Sequence, residues 1–296
     1  MSTESKSTES KSTESKSTES KPNESKPNES KPNESKPNES KPLPSATILM
    51  LRDGPSGLET FMVVRHHQID FASGALVFPG GKVDAGDYEV RNYCDGIDSS
   101  DDTAVAMMAG AIREAFEECG ILLARENGSN ALVSGERLST LEHYRDPLNR
   151  GDVSLNQFLE KEQLRLACDT LQHFAHWITP EMLPKRFDTH FYLAVAPSDH
   201  LAIHDGYESV DSVWISSDNA IKGNSDGTYT IIFPTRVNVE MLGESSNVAD
   251  AMRAAADKKV VSILPWSEQR EDGNYICIPE DAGYSTTAEK MQARPA

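Results

Sequence analysis

Three glutamates, Glu114, Glu117 and Glu118, stand at i, i+3 and i+4 in a run whose apolar residues recur every three to four positions. At about 100° of rotation per residue, Val105, Met108, Ile112, Phe116, Cys119 and Leu123 share one stripe of a helix, and the carboxylates project from the opposite side. Like charges so placed repel by a few tenths of a kcal/mol per pair. The acidic face is therefore either a solvated surface or a place where a divalent cation turns repulsion into coordination. Magnesium suits the second reading, because it takes oxygen ligands, keeps several waters and is completed by substrate phosphates. Upstream, the apolar residues 75–78 read as a strand ending in Phe78-Pro79-Gly80-Gly81. Paired glycines let backbone approach a ligand or lend a carbonyl to a metal.

Gly81 followed by Asp87, then Arg113-Glu114-Ala115-Phe116-Glu117-Glu118-Cys119-Gly120-Ile121, resembles the signature of the Nudix hydrolases. Three departures stand out. The first acid is aspartate rather than glutamate, Ala115 is smaller than the usual apolar residue, and 25 residues (88–112) separate acid from arginine. The family has seven there, so this box carries an insertion. An interrupted box of that kind is similar to the coenzyme A diphosphatase branch. So is the Gly74-x3-Phe78-Pro79-Gly80-Gly81 spacing, although Asp70 stands where that motif has arginine.

The resemblance implies an α/β fold, a mixed β-sheet in an α/β/α sandwich with helical insertions. It implies metal-dependent hydrolysis, with Mg²⁺ or Mn²⁺ held by Glu114, Glu117 and Glu118, and Arg113 fixing a glutamate rotamer. Gly80 and Gly81 would shape the loop. Glu208, shortly before the tryptophan-bearing run 210–215, matches a glutamate that completes the catalytic set in the family; it or an unengaged box glutamate would be the general base. The segment Pro184-Lys185-Arg186-Phe187-Asp188-Thr189 also resembles the interrupted-box branch. Lys185 and Arg186 are either a phosphate grip or an ordinary surface pair. The substrate implied is a small nucleoside diphosphate joined to another group, above all coenzyme A or an acyl ester. NADH or a nucleotide sugar, and a fold-retaining binding module without turnover, are the alternatives.

Residues 2–41 are four copies of STESK and four of PNESK. With nothing apolar to bury, they cannot offset ordering entropy, so residues 1–43 read as a disordered tail, and a folded domain is expected over 44–287. The tail could be a spacer, a phosphorylated arm or simple repeat expansion. Each repeat is neutral, so the net charge of −18 falls on the remainder. That disfavours nucleic acid and anionic membranes, which need a basic footprint, but not a phosphorylated substrate met by metal and local cations. No apolar run suits a membrane span and no signal peptide is evident. Cys94, Cys119, Cys168 and Cys277 lack zinc-type spacing and read as free thiols of a cytoplasmic protein. The oligomeric state is open.

Coarser elements follow. Residues 46–51 and 58–64 flank Asp53-Gly54-Pro55-Ser56-Gly57 and predict a hairpin. Arg65-His66-His67 is a polar strand end or a metal or phosphate contact. The insertion 88–103 lacks periodicity, and its acidic run 98–102 suits a helix cap; a calcium loop is the alternative, disfavoured because the ligand spacing and glutamate of an EF-hand are missing. Insertion 136–170 holds helical patterns at 138–144 and 155–167. Strands are expected at 171–178, 190–196, 229–233 and 260–264, helices at 217–221 and 236–258, and a frayed polar end over the last dozen residues.

Overall fold

The computed structural model describes residues 41–55, 57–65, 74–97, 100–202 and 209–291. The pentapeptide repeats through residue 40, His66, His67, Asp70, Asp98 and Glu208 lie outside the described residues.

The predicted hairpin forms. Strands β1 (Leu43–Gly54) and β2 (Gly57–Arg65) pair antiparallel, with Gly54 opposite Gly57 across the turn. Their pairing covers only Leu51–Gly54 on β1. Beyond it they diverge, and the next segment fills the wedge. Within it, β3 (Leu76–Val77) pairs with β2 and β4 (Gly80–Lys82) pairs with β1 at Ser45–Thr47. Between those contacts Ile48 N–H donates to Pro79 O at 2.9 Å, so the glycine-bearing bend lies inside the sheet rather than at its rim.

The long helix α1 (Asp102–Cys119) begins on Asp101, whose side chain accepts from Thr103 N, and ends on Gly120 at φ 69°. Short strand β5 (Ala124–Glu126) and helices α2 (Gly135–Leu141), α3 (Arg145–Asn149) and α4 (Leu155–Glu162) follow. The second expected insertion helix therefore stops early: Gln163 turns the chain at φ 56° into β6 (Leu164–Leu166), which pairs with β5. Then come β7 (Gln172–Ile178) and β8 (Phe187–Val195), close to where alternation placed strands. Next are β9 (Ser209–Ile215), α5 (Ser217–Ser225), α6 (Phe233–Leu242) and α7 (Val248–Asp257). The chain continues through β10 (Ser262–Ile263), β11 (Trp266–Arg270), β12 (Gly273–Cys277) and β13 (Ala288–Lys290).

The main sheet runs β10-β7-β8-β1-β2-β3, with β4 also on β1 and β9 also on β2. It is mixed, because β1/β8 and β7/β10 are parallel and the remaining pairs antiparallel. Alternation along β1 sends Ala46, Ile48 and Met50 toward α1, and Leu49 and Leu51 toward α6 and α7, so helices cover both faces.

Three expectations fail locally. The single helix over 236–258 is two, because Gly243 to Ser246 break it and Asn247 caps α7 anew, its side chain accepting from Asp250 N. Asp53 of the hairpin turn takes the Val248 N–H at 2.9 Å, a long-range cap that local periodicity cannot show. No strand forms at 229–233: Thr230 makes one bridge to Ala75, and Pro234 sits in the first turn of α6, where its fixed φ is at home. The C-terminal end is not wholly frayed, since β13 pairs with β12. All four cysteines are free and buried, and among the described residues no helix is long and apolar enough to cross a membrane.

Candidate functional site

The bend at Gly80-Gly81 meets the last two turns of α1. Gly80 has φ +153°, and a Cβ there would lie 2.4 Å from Ala46 O and 2.6 Å from Thr47 Cα. Only glycine fits. Its N–H donates to Glu118 Oε2 at 2.9 Å. A Cβ on Gly81 would come within 2.5 Å of Glu114 Oε1, so the bend is also cut to admit that carboxylate.

An amphipathic helix with a solvated acidic side is not what forms. Glu117 and Glu118 are 4% and 5% exposed, Glu118 against the Gly80 bend and Glu117 against Arg113, while the insertion roofs α1 at Phe116. Phe116 stacks on Phe158 of α4 at 5.6 Å, and Tyr144 tilts onto Phe158 at 4.9 Å. The roof also closes the helix end: Arg145 of α3 donates from Nε (3.1 Å) and Nη2 (3.0 Å) to Glu117 O, a carbonyl left without a helical partner in the last turn.

Arg113 organises the acids. Its Nε and Nη2 form a two-pronged bond with Asp87 Oδ1 and Oδ2, both at 3.0 Å, and Nη2 also donates to Lys82 O at 2.8 Å. Its Nη1 donates to Glu114 Oε1 at 3.0 Å and to Glu117 Oε2 at 3.1 Å. Asp87 is fully buried in a 3₁₀ turn (Ala85–Tyr88), where Oδ2 accepts from Asp84 N at 2.8 Å. It fits because Gly110 offers no side chain; a Cβ there would stand 3.0 Å from Asp87 Oδ2. The insertion between acid and arginine is therefore looped out, and the pair meets as though adjacent. Arg113 thus pairs with two of the box glutamates, and it grips the first acid of the motif more fully than either.

Burial alone would lower the Arg113 guanidinium's pKa, but the carboxylates of Glu114, Asp87 and Glu117 outweigh it and hold the cation charged. Glu117 goes the other way. Desolvation raises it to about 8 against the opposing pull of Arg113, with Glu114 adding to the rise. Glu117 Oε1 is buried with no hydrogen-bond partner.

That orphaned oxygen is the observation that tests a divalent cation here. A buried carboxylate oxygen without a donor is costly unless something positive completes it. Glu114, Glu117 and Glu118 offer only hard oxygen donors, the kind that suits Mg²⁺ or Mn²⁺. The residues fit such an ion. Glu118 is turned to Gly80, and Glu114 and Glu117 share Arg113.

Lys185 and Arg186 lie at the same end of the sheet. Leu43 N–H donates to Arg186 O, and Val83 N–H donates to Pro44 O, so the β7–β8 loop and the segment after β4 flank the start of β1. Lys185 is exposed with its ammonium 5.5 Å from the Phe187 ring, and Arg186 Nε donates to Thr179 O at 3.0 Å, closing its own loop. Two contributors escaped sequence reasoning. Arg145 acts across 28 residues, and Gly110 looks like an ordinary weak point of a helix; neither carries a local signal.

A family model described as the NUDT19 Nudix domain matches residues 95–239. The match begins after Gly80, Gly81 and Asp87, so the first half of the box lies outside it. A nudix hydrolase of Caenorhabditis elegans is 25% identical over 225 residues, 75% of this chain and 68% of the relative. A Xenopus laevis protein named acyl-coenzyme A diphosphatase NUDT19 is 21% identical over 277 residues, 79% of this chain and 73% of the relative. Among solved structures, a NUDIX hydrolase from Alicyclobacillus acidocaldarius superposes with a TM-score of 0.62 at 25% identity, covering 73% of this chain and 97% of the other.

Proposed function

We propose that this chain, which belongs to the Nudix hydrolase family and is a Nudix-type diphosphatase, cleaves the pyrophosphate of coenzyme A or its acyl esters with the help of Mg²⁺ or Mn²⁺. The products are 3',5'-ADP and (acyl-)phosphopantetheine, and the working domain is residues 44–287. One observation carries the metal-dependent reading: Glu117 Oε1 is buried and unpartnered beside two further box carboxylates, Glu114 and Glu118. The substrate assignment is supported by the family model and the Xenopus relative, both of NUDT19 type, and by the interrupted box.

A bound divalent ion supplies charge neutralisation of the diphosphate and a more acidic water. Glu114, Glu117 and Glu118 would hold it. Arg113 keeps Glu114 and Glu117 in place and is itself fixed by Asp87, a positioning role. Gly80 N–H orients Glu118. Water attacks one phosphorus, the bond from that phosphorus to the bridging oxygen breaks, and the bridging oxygen leaves on the other phosphate. A carboxylate takes the proton. We assign it to Glu208, on the sequence motif, or to whichever box glutamate the ion leaves unengaged. Lys185 and Arg186 are proposed to meet the substrate's phosphates from the β7–β8 loop.

The test is product analysis by mass spectrometry after incubation with coenzyme A, NADH, ADP-ribose and a nucleotide sugar, each with Mg²⁺, with Mn²⁺ and with EDTA. We expect 3',5'-ADP and phosphopantetheine from coenzyme A, abolished by EDTA, and a loss of at least about 100-fold for Glu118→Gln. Preferred turnover of NADH or a nucleotide sugar overturns the substrate, and wild-type turnover by Glu118→Gln overturns the site.

A further inference from the structure

Strands β7 and β8 carry a second group of donors that the diphosphatase reading does not use. His176 and His190 stand directly opposite each other in the antiparallel register, and Asp188 lies two residues before His190 on the same face. One donor atom from each of the three lies within 4.8 Å of the other two, and all three residues are half-buried. The His176 and His190 rings stack at 4.0 Å, and the His173 and His190 rings at 5.0 Å.

The other nitrogens are already spoken for. His176 Nδ1 lies 2.7 Å from Ser262 Oγ, on the neighbouring strand β10, while its Nε2 faces Asp188 Oδ1. His190 Nδ1 lies 3.0 Å from His173 Nε2. Outer hydrogen bonds of this kind fix the ring orientation and tautomer of metal-binding histidines.

We infer that His176, Asp188 and His190 form a transition-metal site, of the Zn²⁺ class, separate from the glutamates of α1. The donor set decides the class. Two imidazole nitrogens and one carboxylate oxygen match zinc, whereas Mg²⁺ prefers oxygen alone. Three protein donors leave a fourth position for water. On binding, the ion replaces the proton shared by His176 and Asp188, and that proton goes to solvent. The ion ties the end of β7 to the start of β8, and so clamps both stems of the loop 179–186.

The full-length protein, stripped with EDTA and dialysed against Zn²⁺, is assayed by elemental analysis. Separately, Co²⁺ substitution is followed by its visible absorption. We expect about one equivalent of Zn²⁺ per chain in the wild type and in Glu118→Gln, and its loss in His176→Gln, in His190→Gln and in Asp188→Asn. Thermal unfolding should rise with Zn²⁺ in the first two proteins and not in the histidine variants. No tightly held Zn²⁺ in the wild type, or Zn²⁺ lost with Glu118 and kept without His176, overturns the inference. Should the histidine variants fail to fold, the wild type still decides: Zn²⁺ titration must shift the imidazole resonances of His176 and His190, and unmoved resonances overturn the site.

Discussion

Glu118 accepts a hydrogen bond from the backbone N–H of Gly80 at 2.9 Å, across 38 residues of chain. The acidic end of α1 is thereby held against a bend that the diverging strands β1 and β2 keep open. Replacing the two glycines should give different failures. Gly80→Ala imposes a positive φ and a Cβ 2.4 Å from the Ala46 carbonyl, backbone that cannot step aside. Its strained backbone alone costs roughly 1–3 kcal/mol, before the clash is added. Gly81→Ala meets a carboxylate that can swing away, Glu114 Oε1 at 2.5 Å. Thermal melting together with turnover should show Gly80→Ala losing both, and Gly81→Ala losing turnover with its melting temperature nearly kept.

Arg113 and Asp87 are a buried ion pair bound through two hydrogen bonds. Removing one partner strands the other charge, a cost of about 3–5 kcal/mol. Arg113→Ala should therefore melt far below wild type. Removing Asp87 as well should cost less than the sum of the two single changes by at least about 1 kcal/mol, measured by a double-mutant cycle in urea.

Gly110 offers a test of sign. Glycine to alanine inside a helix ordinarily gains roughly 0.5–1 kcal/mol. Here the new Cβ would stand 3.0 Å from Asp87 Oδ2 and 3.4 Å from Val83 Cγ2, and Asp87 is pinned by Arg113. Gly110→Ala should lower stability in denaturant titration; a gain would mean that Asp87 is free to move.

The raised Glu117 gives a pH dependence. With its folded value near 8 and its ordinary value of 4.5, the metal-free folded chain binds more protons than the unfolded one between those limits. Stability from this group is therefore full below pH 4.5 and is lost as pH climbs through 8. Melting temperatures across that window in EDTA should fall more steeply for wild type than for Glu117→Gln. Added Mg²⁺ should reduce the difference, because the ion favours the ionised carboxylate.

Much of the fold was written in short-range chemistry. The hairpin needs only its Asp-Gly-Pro-Ser-Gly turn and apolar flanks, and α1 needs only its stripe, the Asp101 cap and the Gly120 stop. The box itself, by type and spacing, put Glu114, Glu117, Glu118 and Arg113 on one element. The errors lie where a distant partner decided. Asp53 helps cap α7 from the hairpin, and β12 recruits β13 from a polar end that looked frayed.

Residue type and local spacing thus decided which groups could do chemistry, because turns, caps and helical faces depend on neighbours a few positions away. The burial of Glu117 and Glu118, the choice of Asp87 as the fuller partner of Arg113, and the gathering of His176, Asp188 and His190 were decided only when sheet and helices came together. Those outcomes depend on solvent exclusion and on contacts between strands and helices far apart in the chain, and no local pattern carries either.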